Sequence, residues 1–166
     1  GEWAELLAGR QRYRGDVIDE GRARERLQPA ARAAKSEPEG PGDEVAMGVD
    51  VARYGADRTA ICIRRGDRVL EIRAYHREDT MNTTGRVVAA IREHSPAAVC
   101  VDVVGVGAGV VDRLKELGHS QVCGIIGGAR SWMAELYFNL RSELYDGLLW
   151  RFENDRIRIP NDPELV

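Results

Sequence analysis

Residues 45–51 read VAMGVDV, a continuous apolar run that contains a single acid, Asp50. Residues 97–104 read AAVCVDVV and repeat the pattern, with one acid, Asp102, near the end of the run. Short apolar runs of this kind are typical of β-strands covered on both faces, as in a parallel sheet between layers of helices. The two runs therefore predict two central, fully buried strands, and they decide the fold class.

The segments around these runs alternate between strand and helix patterns. Residues 58–65 and 68–77 alternate with period two on either side of the Gly66-Asp67 turn, which predicts a β-hairpin. Apolar stripes predict helices over 80–94, 105–118 and 134–152, and short extended segments over 121–126 and 156–160. Thr80 is the expected cap of the first helix. The order β-β-β-α-β-α-β-α predicts an α/β domain with a mixed five-stranded sheet and helices on both faces, which is the ribonuclease H-like order.

Asp50 and Asp102 are the candidate catalytic and metal-binding residues. An ionised carboxylate inside an apolar strand costs several kcal/mol unless it is paired or bound to a metal. Because the first and fourth strands are neighbours in the predicted order, the two carboxylates can converge into a hard-oxygen site for Mg²⁺ or Mn²⁺. Two such ions can activate a water and stabilise the leaving oxygen of a phosphoryl displacement. The alternative is that each acid caps a strand end by accepting backbone hydrogen bonds.

Composition restricts the class of protein. The 166 residues carry 24 Lys and Arg against 27 Asp and Glu, a net charge of −3. This balance argues against a general nucleic-acid coat or an electrostatic membrane binder, although a local basic face remains compatible with it. The three cysteines have no CxxC spacing, and their apolar neighbours predict reduced thiols buried in the core. The three histidines share no metal-ligand spacing.

A local excess of positive charge lies in the hairpin. Residues 53–77 contain seven arginines against three acids, an arrangement that can position a phosphate backbone without reading its sequence. A solvated hairpin face is the alternative interpretation. The candidate DNA-binding residues are Arg53, Arg58, Arg64 and Arg65. Glycines in GVGAG at 105–109 could let backbone amides approach a phosphate, and the chain contains no GxxxxGK[ST] motif of a Walker-type ATPase.

Residues 1–44 differ from the rest of the chain. They are rich in Ala, Arg and Glu and end in the Pro, Gly and acid-rich stretch SEPEGPGDE at 36–44. We interpret residues 1–44 as a partly helical leader and linker, and residues 45–166 as the folded domain. The leader is expected to connect to a domain upstream.

Five segments taken in order resemble the nuclease domain of tailed-bacteriophage terminase large subunits. They are GVDVARYGADRTAI, DTMNTTGRV, VDVVGVGAGVVDRL, FNLRSELYDGL and IRIPNDPEL. The resemblance implies a ribonuclease H-like, divalent-metal-dependent endonuclease that cuts concatemeric double-stranded DNA during genome packaging. It places the first-strand and fourth-strand acids of a two-ion Mg²⁺ or Mn²⁺ site on Asp50 and Asp102. A third metal-binding acid would follow Val166, since Asp162 and Glu164 do not match its position, so the present chain is expected to have a weakened site.

The same resemblance implies partners and a place of action. The partners would be double-stranded DNA, an ATPase domain of the same subunit, the portal and the small terminase. The isolated domain would be a monomer that acts in the host cytoplasm, away from any membrane.

Other functions fit parts of the sequence. A Holliday-junction resolvase or transposase shares the ribonuclease H-like order, and preference for branched substrates would favour it. An actin-like or sugar-kinase ATPase also opens with Gly-Val-Asp near a hairpin but needs a much longer chain. A non-catalytic module that docks DNA or the portal would lack convergent carboxylates.

Overall fold

The computed structural model describes residues 44–52, 58–76 and 78–161. Within these residues the chain forms five strands and three helices in the predicted order. The strands are β1 (Val45–Asp50), β2 (Arg58–Arg65), β3 (Arg68–His76), β4 (Ala98–Asp102) and β5 (Val122–Ile125). The helices are α1 (Thr80–His94), α2 (Gly107–Glu116) and α3 (Leu140–Glu153). The predicted leader at 1–44 lies outside the described residues except for Glu44.

The five strands form one mixed sheet in the order β3-β2-β1-β4-β5. The hairpin strands run antiparallel to each other, and β2 runs antiparallel to β1. Strand β4 is parallel to β1 and β5 is parallel to β4. The predicted α/β class, with β1 beside β4 at the centre of a mixed sheet, is confirmed.

The two faces of the sheet are covered differently. One face, which we call the core face, points toward α1 and α2 and holds the buried core. The core residues from the strands are Met47, Val49, Ile61, Ile63, Val99, Val101 and Val122. Those from the helices are Val87, Ala90 and Ile91 of α1 and Val110, Val111 and Leu114 of α2. The opposite face, which we call the acid face, carries Asp50 and Asp102. On it Gly48 is exposed, and Ala46 and Cys100 are half-buried. The expectation that β1 and β4 are buried on both faces is therefore wrong for the described residues, because α1 and α2 both pack on the core face.

Side-chain caps set the starts of two helices. Asp79, and not Thr80, caps α1, since its carboxylate accepts a hydrogen bond from the Asn82 backbone N–H at 2.6 Å. Asn139 caps α3 in the same way and accepts from the Ser142 backbone N–H at 2.9 Å. This cap explains why the last helix begins at Leu140 and not at residue 134 as predicted.

Helix α3 joins opposite ends of the sheet. At its start the Leu140 N–H donates to the Ala129 carbonyl at 2.8 Å, just beyond the end of β5. At its end Arg151 Nε donates to Asp67 Oδ1 at 2.9 Å in the turn between β2 and β3. Phe152 and Val69 both pack against the buried pair Ile157 and Ile159. The strand partner of Val69 is Arg64, which belongs to the acid face. The end of α3 therefore lies on the side of the sheet opposite α1 and α2, in agreement with the prediction of helices on both faces.

Candidate metal-binding site

Asp50 and Asp102 are the last residues of two neighbouring parallel strands. The register pairs Val49 with Val101, so the next residues of the two strands, Asp50 and Asp102, lie side by side. Neighbouring strands are about 4.8 Å apart, and residues paired in register project from the same face. The sheet thus brings the two predicted acids together at its carboxyl edge, on the acid face.

Local contacts hold the backbone around each acid. Asp102 is half-buried, and its Oδ1 accepts a hydrogen bond from the Val104 backbone N–H at 2.9 Å. Asp50 is exposed, and the Ala52 N–H after it donates to Oγ1 of the buried Thr59 at 3.2 Å. These contacts fix the chain immediately after each strand, and the Val104 amide also orients the Asp102 carboxylate.

The loop after Asp102 depends on two glycines. Gly105 has a φ of 84°, in the left-handed region that glycine adopts readily. A Cβ added at Gly107 would lie 1.9 Å from the Asp102 backbone oxygen, which shows that α2 begins in direct contact with the end of β4. Gly107 is therefore required for packing, a role that the sequence motif did not distinguish from phosphate binding. This packing role is known only from the contact between Gly107 and Asp102, which the sequence does not indicate.

The candidate DNA-binding arginines are separated by the strand geometry. Arg58 is exposed and lies two residues from Ala60, the β2 partner of Asp50, so it shares the acid face near the carboxyl edge. Arg64 is on the same face but pairs with Ala46, four residues before Asp50 and about 13 Å away along the strand. Arg65 pairs with Val45 on the core face, and Arg53 lies outside the described residues. Arg58 is thus the described candidate that the fold places beside the acids.

A second group of metal-capable side chains lies on the core face. Ligand atoms of Glu71 on β3 and of Glu93 and His94 at the end of α1 lie within 4.8 Å of one another. The guanidinium of Arg73 lies among these three side chains. Its Nη2 donates hydrogen bonds to Glu71 at 2.7 Å and to Glu93 at 2.8 Å, and it lies 3.3 Å from His94 Nε2.

The charge of Arg73 changes the chemistry of this group. Its hydrogen bond to Glu71 lowers the pKa of that carboxyl below its ordinary value. A guanidinium already placed between the two carboxylates disfavours a divalent cation there, so we interpret the group as an ion-pair network. No pattern in the sequence indicates this network, because 21 residues lie between Glu71 and Glu93 and only the fold brings them together.

The cysteines are less buried than expected. Cys62 and Cys100 are half-buried and Cys123 is exposed, so the expectation of core thiols is wrong. All three lie on the acid face, where alternate residues of the strands point away from α1 and α2. Burial raises the pKa of the Cys62 thiol. Burial also raises the pKa of Cys100, and the hydrogen bond between Cys100 and Cys123 raises it further, to about 11. All three thiols are free in the structure.

The segment between β5 and α3 is fixed by one carboxylate. Glu143 Oε2 accepts hydrogen bonds from the Ser131 hydroxyl at 2.7 Å and from the Trp132 backbone N–H at 2.9 Å. Glu143 therefore ties helix α3 to this loop. In the part of the chain that the structure describes, no helix combines the length and apolar character needed to cross a membrane.

The chain is similar in structure to solved nuclease domains of phage large terminases. The nuclease domain of the large terminase subunit gp2 of bacterial virus Sf6 matches with a TM-score of 0.71 and 18% identity, over 86% of this chain and 74% of that chain. A mutant of that domain with manganese and beta-thujaplicinol gives a TM-score of 0.72 over the same shares of both chains. The large terminase nuclease from thermophilic phage G20c with bound magnesium gives 0.62 at 17% identity, over 77% of this chain and 64% of that chain.

No protein-family model and no curated protein matches the sequence. At identities of 16–18% the similarity to these structures establishes the fold. The similarity agrees with the order of strands, the central parallel pair and the ribonuclease H-like topology expected from the sequence. The chain therefore has the fold of the nuclease domains of phage large terminase subunits.

Proposed function

We propose that this domain is the metal-dependent endonuclease of a terminase large subunit and hydrolyses phosphodiester bonds of double-stranded DNA during genome packaging. The observation that carries the proposal is the placement of Asp50 and Asp102 at the ends of neighbouring parallel strands, in register and on one face. Carboxylates at that spacing repel each other unless a cation lies between them. The fold shared with terminase nucleases supports the same conclusion.

The donor set fits a hard divalent cation. Both residues offer carboxylate oxygens, the ligands that Mg²⁺ and Mn²⁺ prefer. One oxygen of Asp102 is used by the Val104 N–H, and its other oxygen remains for a cation. A divalent ion bound there would supply Lewis-acid stabilisation of the phosphate and lower the pKa of a water nucleophile.

The chain's own residues position the reacting groups. The Val104 amide orients the Asp102 carboxylate, and the close contact at Gly107 keeps the end of β4 against α2. Arg58, exposed on the acid face, would hold a backbone phosphate of the DNA beside the two acids. Arg64 would contact the backbone farther along the same face.

The wider setting follows from the terminase assignment. The domain would act in the host cytoplasm on double-stranded DNA, with an ATPase domain of the same subunit, the portal and the small terminase as partners. A chain with net charge −3 gains little non-specific affinity for DNA from its overall charge, so a partner domain would hold the substrate.

Metal binding tests the assignment of the acids. We expect Mn²⁺ titrated into the chain to bind with a measurable heat, and the heat to be lost in Asp50→Asn and Asp102→Asn. Asn at 102 can still accept the Val104 hydrogen bond, so this variant retains the local structure. Asp112→Asn, at an exposed acid on α2, is the matched control and should bind as the wild type does.

DNA cleavage tests the activity itself. Because the resemblance assigns a third acid to a position after Val166, nicking of supercoiled plasmid is measured with the protein continued past that residue. We expect Mn²⁺-dependent cleavage that falls at least a hundredfold in either Asp variant. Cleavage retained in both variants would refute the assignment, and faster cleavage of a four-way junction than of linear duplex would favour a resolvase.

A further inference from the structure

The three cysteines occupy one row across the acid face. Gly48 on β1 pairs with Cys62 on β2 and with Cys100 on β4, and Cys100 pairs with Cys123 on β5. The row therefore runs Cys62, Gly48, Cys100, Cys123, all pointing to the same side of the sheet. No spacing in the sequence indicates this row, because it results from the register of four strands.

Two of the thiols are in contact. Cys123 Sγ lies 3.4 Å from Cys100 Sγ, and the register places their Cα atoms about 4.8 Å apart. That separation is within the range of about 4.4–6.8 Å between Cα atoms that a disulfide can bridge. The pair can therefore be linked by a small movement of the two side chains without separating the strands.

Reagents can reach the pair from solvent. Cys123 is exposed, and the neighbouring Gly48 is also exposed, with nothing within 4 Å of the position that a Cβ would take there. Accessible thiols that lie next to a second thiol are the ones that oxidise reversibly to a disulfide.

We propose that Cys100 and Cys123 form a reversible dithiol–disulfide site whose oxidant is a hydroperoxide. The Cys123 thiol releases its proton, and the thiolate attacks one peroxide oxygen. The O–O bond breaks to give a sulfenic acid and a hydroxide, which takes up a proton and leaves as the first water. The Cys100 sulfur then attacks the sulfenic sulfur, the S–O bond breaks, and the departing hydroxide takes the Cys100 proton to leave as a second water. Two thiols lose two electrons in total, and one hydrogen peroxide is reduced to two waters.

Cys62 is excluded from the site by distance. It is two strand spacings from Cys100, so their Cα atoms are about 10 Å apart, beyond the limit of about 7 Å for a disulfide without backbone movement. The same face thus provides a natural control: a half-buried cysteine in the same row that cannot join the pair.

Mass spectrometry of the oxidised chain tests the proposal independently of any nuclease activity. The reduced protein is treated with hydrogen peroxide, the remaining thiols are blocked with N-ethylmaleimide, and the intact mass and the proteolytic peptides are measured. We expect one maleimide adduct in place of three, on Cys62, and a peptide that joins Cys100 to Cys123. Dithiothreitol should restore three reactive thiols.

Single variants separate the pair from the control. Cys62→Ser should form the disulfide at the wild-type rate, whereas Cys100→Ser and Cys123→Ser should form no intramolecular disulfide. Circular dichroism verifies that each variant is folded. The proposal would be overturned by three maleimide adducts after oxidation of the wild type. A crosslink that requires Cys62 would also overturn it, and so would oxidation of the wild-type Cys123 beyond the sulfenic acid.

Discussion

The core face and the acid face of the sheet are made by the same strands and differ in what their side chains do. On the core face Ile61, Val99 and Val101 are fully buried against α1 and α2. On the acid face the alternate residues of β4, Cys100 and Asp102, are only half-buried. Because successive residues of a strand point to opposite faces, β4 supplies the core and the candidate site at once.

The comparison shows that stability and proposed chemistry can be changed separately. Substitutions on the core face should alter the free energy of unfolding, since they remove buried apolar surface. Substitutions on the acid face should alter metal or thiol chemistry with small changes in stability, since little surface is buried there. The predictions below test this separation, beginning with the largest effect on stability.

Leu114→Ala should cause the largest loss of stability. Leu114 on α2 is fully buried in the core cluster, and truncation of such a leucine costs about 2–5 kcal/mol. Urea denaturation followed by circular dichroism measures the change. The matched control is Leu148→Ala on α3, where the residue is 38% exposed and the expected loss is below about 1 kcal/mol. Equal losses in the two variants would show that the core extends to α3.

Gly107→Ala tests the close contact between the start of α2, on the core face, and the end of β4 at Asp102. The added Cβ would lie 1.9 Å from the Asp102 backbone oxygen, so the start of α2 or the end of β4 must shift. We expect a loss of about 1–3 kcal/mol in unfolding free energy and weaker Mn²⁺ binding, because Asp102 moves with its backbone.

Gly109→Ala is the control in the same helix. Nothing lies within 4 Å of the added Cβ, and alanine has a higher helix propensity than glycine. This variant should therefore gain up to about 1 kcal/mol and bind Mn²⁺ as the wild type does. If Gly107→Ala also proves stabilising, the close contact between α2 and β4 does not exist in solution.

The sequence predicts the features that depend on local patterns of apolar and polar residues. The runs at 45–51 and 97–104 predict β1 and β4, which the structure contains. The single acid in each run makes Asp50 and Asp102 the candidate metal ligands. The order of strands and helices then placed these two strands side by side, because right-handed crossovers leave few alternative arrangements. The sheet order in the structure agrees with that prediction.

The features that sequence missed depend on contacts between distant elements. Apolar neighbours predicted buried cysteines, but burial depends on which face the helices cover, and α1 and α2 both cover the other one. The two glycines 107 and 109 are alike in the motif, but Gly107 is buried against Asp102 and Gly109 is exposed with open space around it. The start of α3 was misplaced because the apolar residues at 134–138 continue the helical pattern until the cap at Asn139 interrupts it.

The smallest expected effect concerns the ion-pair network on the core face. The hydrogen bond from Arg73 lowers the pKa of Glu71, so the native state holds this carboxyl ionised more strongly than the unfolded state does. Its contribution to stability is complete at pH values above the ordinary glutamate pKa of about 4.3 and is lost as the pH falls through the lowered native value. Because the Glu71 side chain is 40% exposed, solvent limits this contribution to below about 1 kcal/mol.

Glu71→Gln should therefore be less stable than the wild type at pH 7, and the difference should disappear in acid. Urea titrations of both proteins at several pH values measure it, with Glu116→Gln as the control, since the Arg113–Glu116 pair is more exposed and contributes less. Mn²⁺ binding should be unchanged in Glu71→Gln, because Arg73 already provides the cation for this group. Loss of Mn²⁺ binding in Glu71→Gln would show that the metal site lies on the core face and not on the acid face.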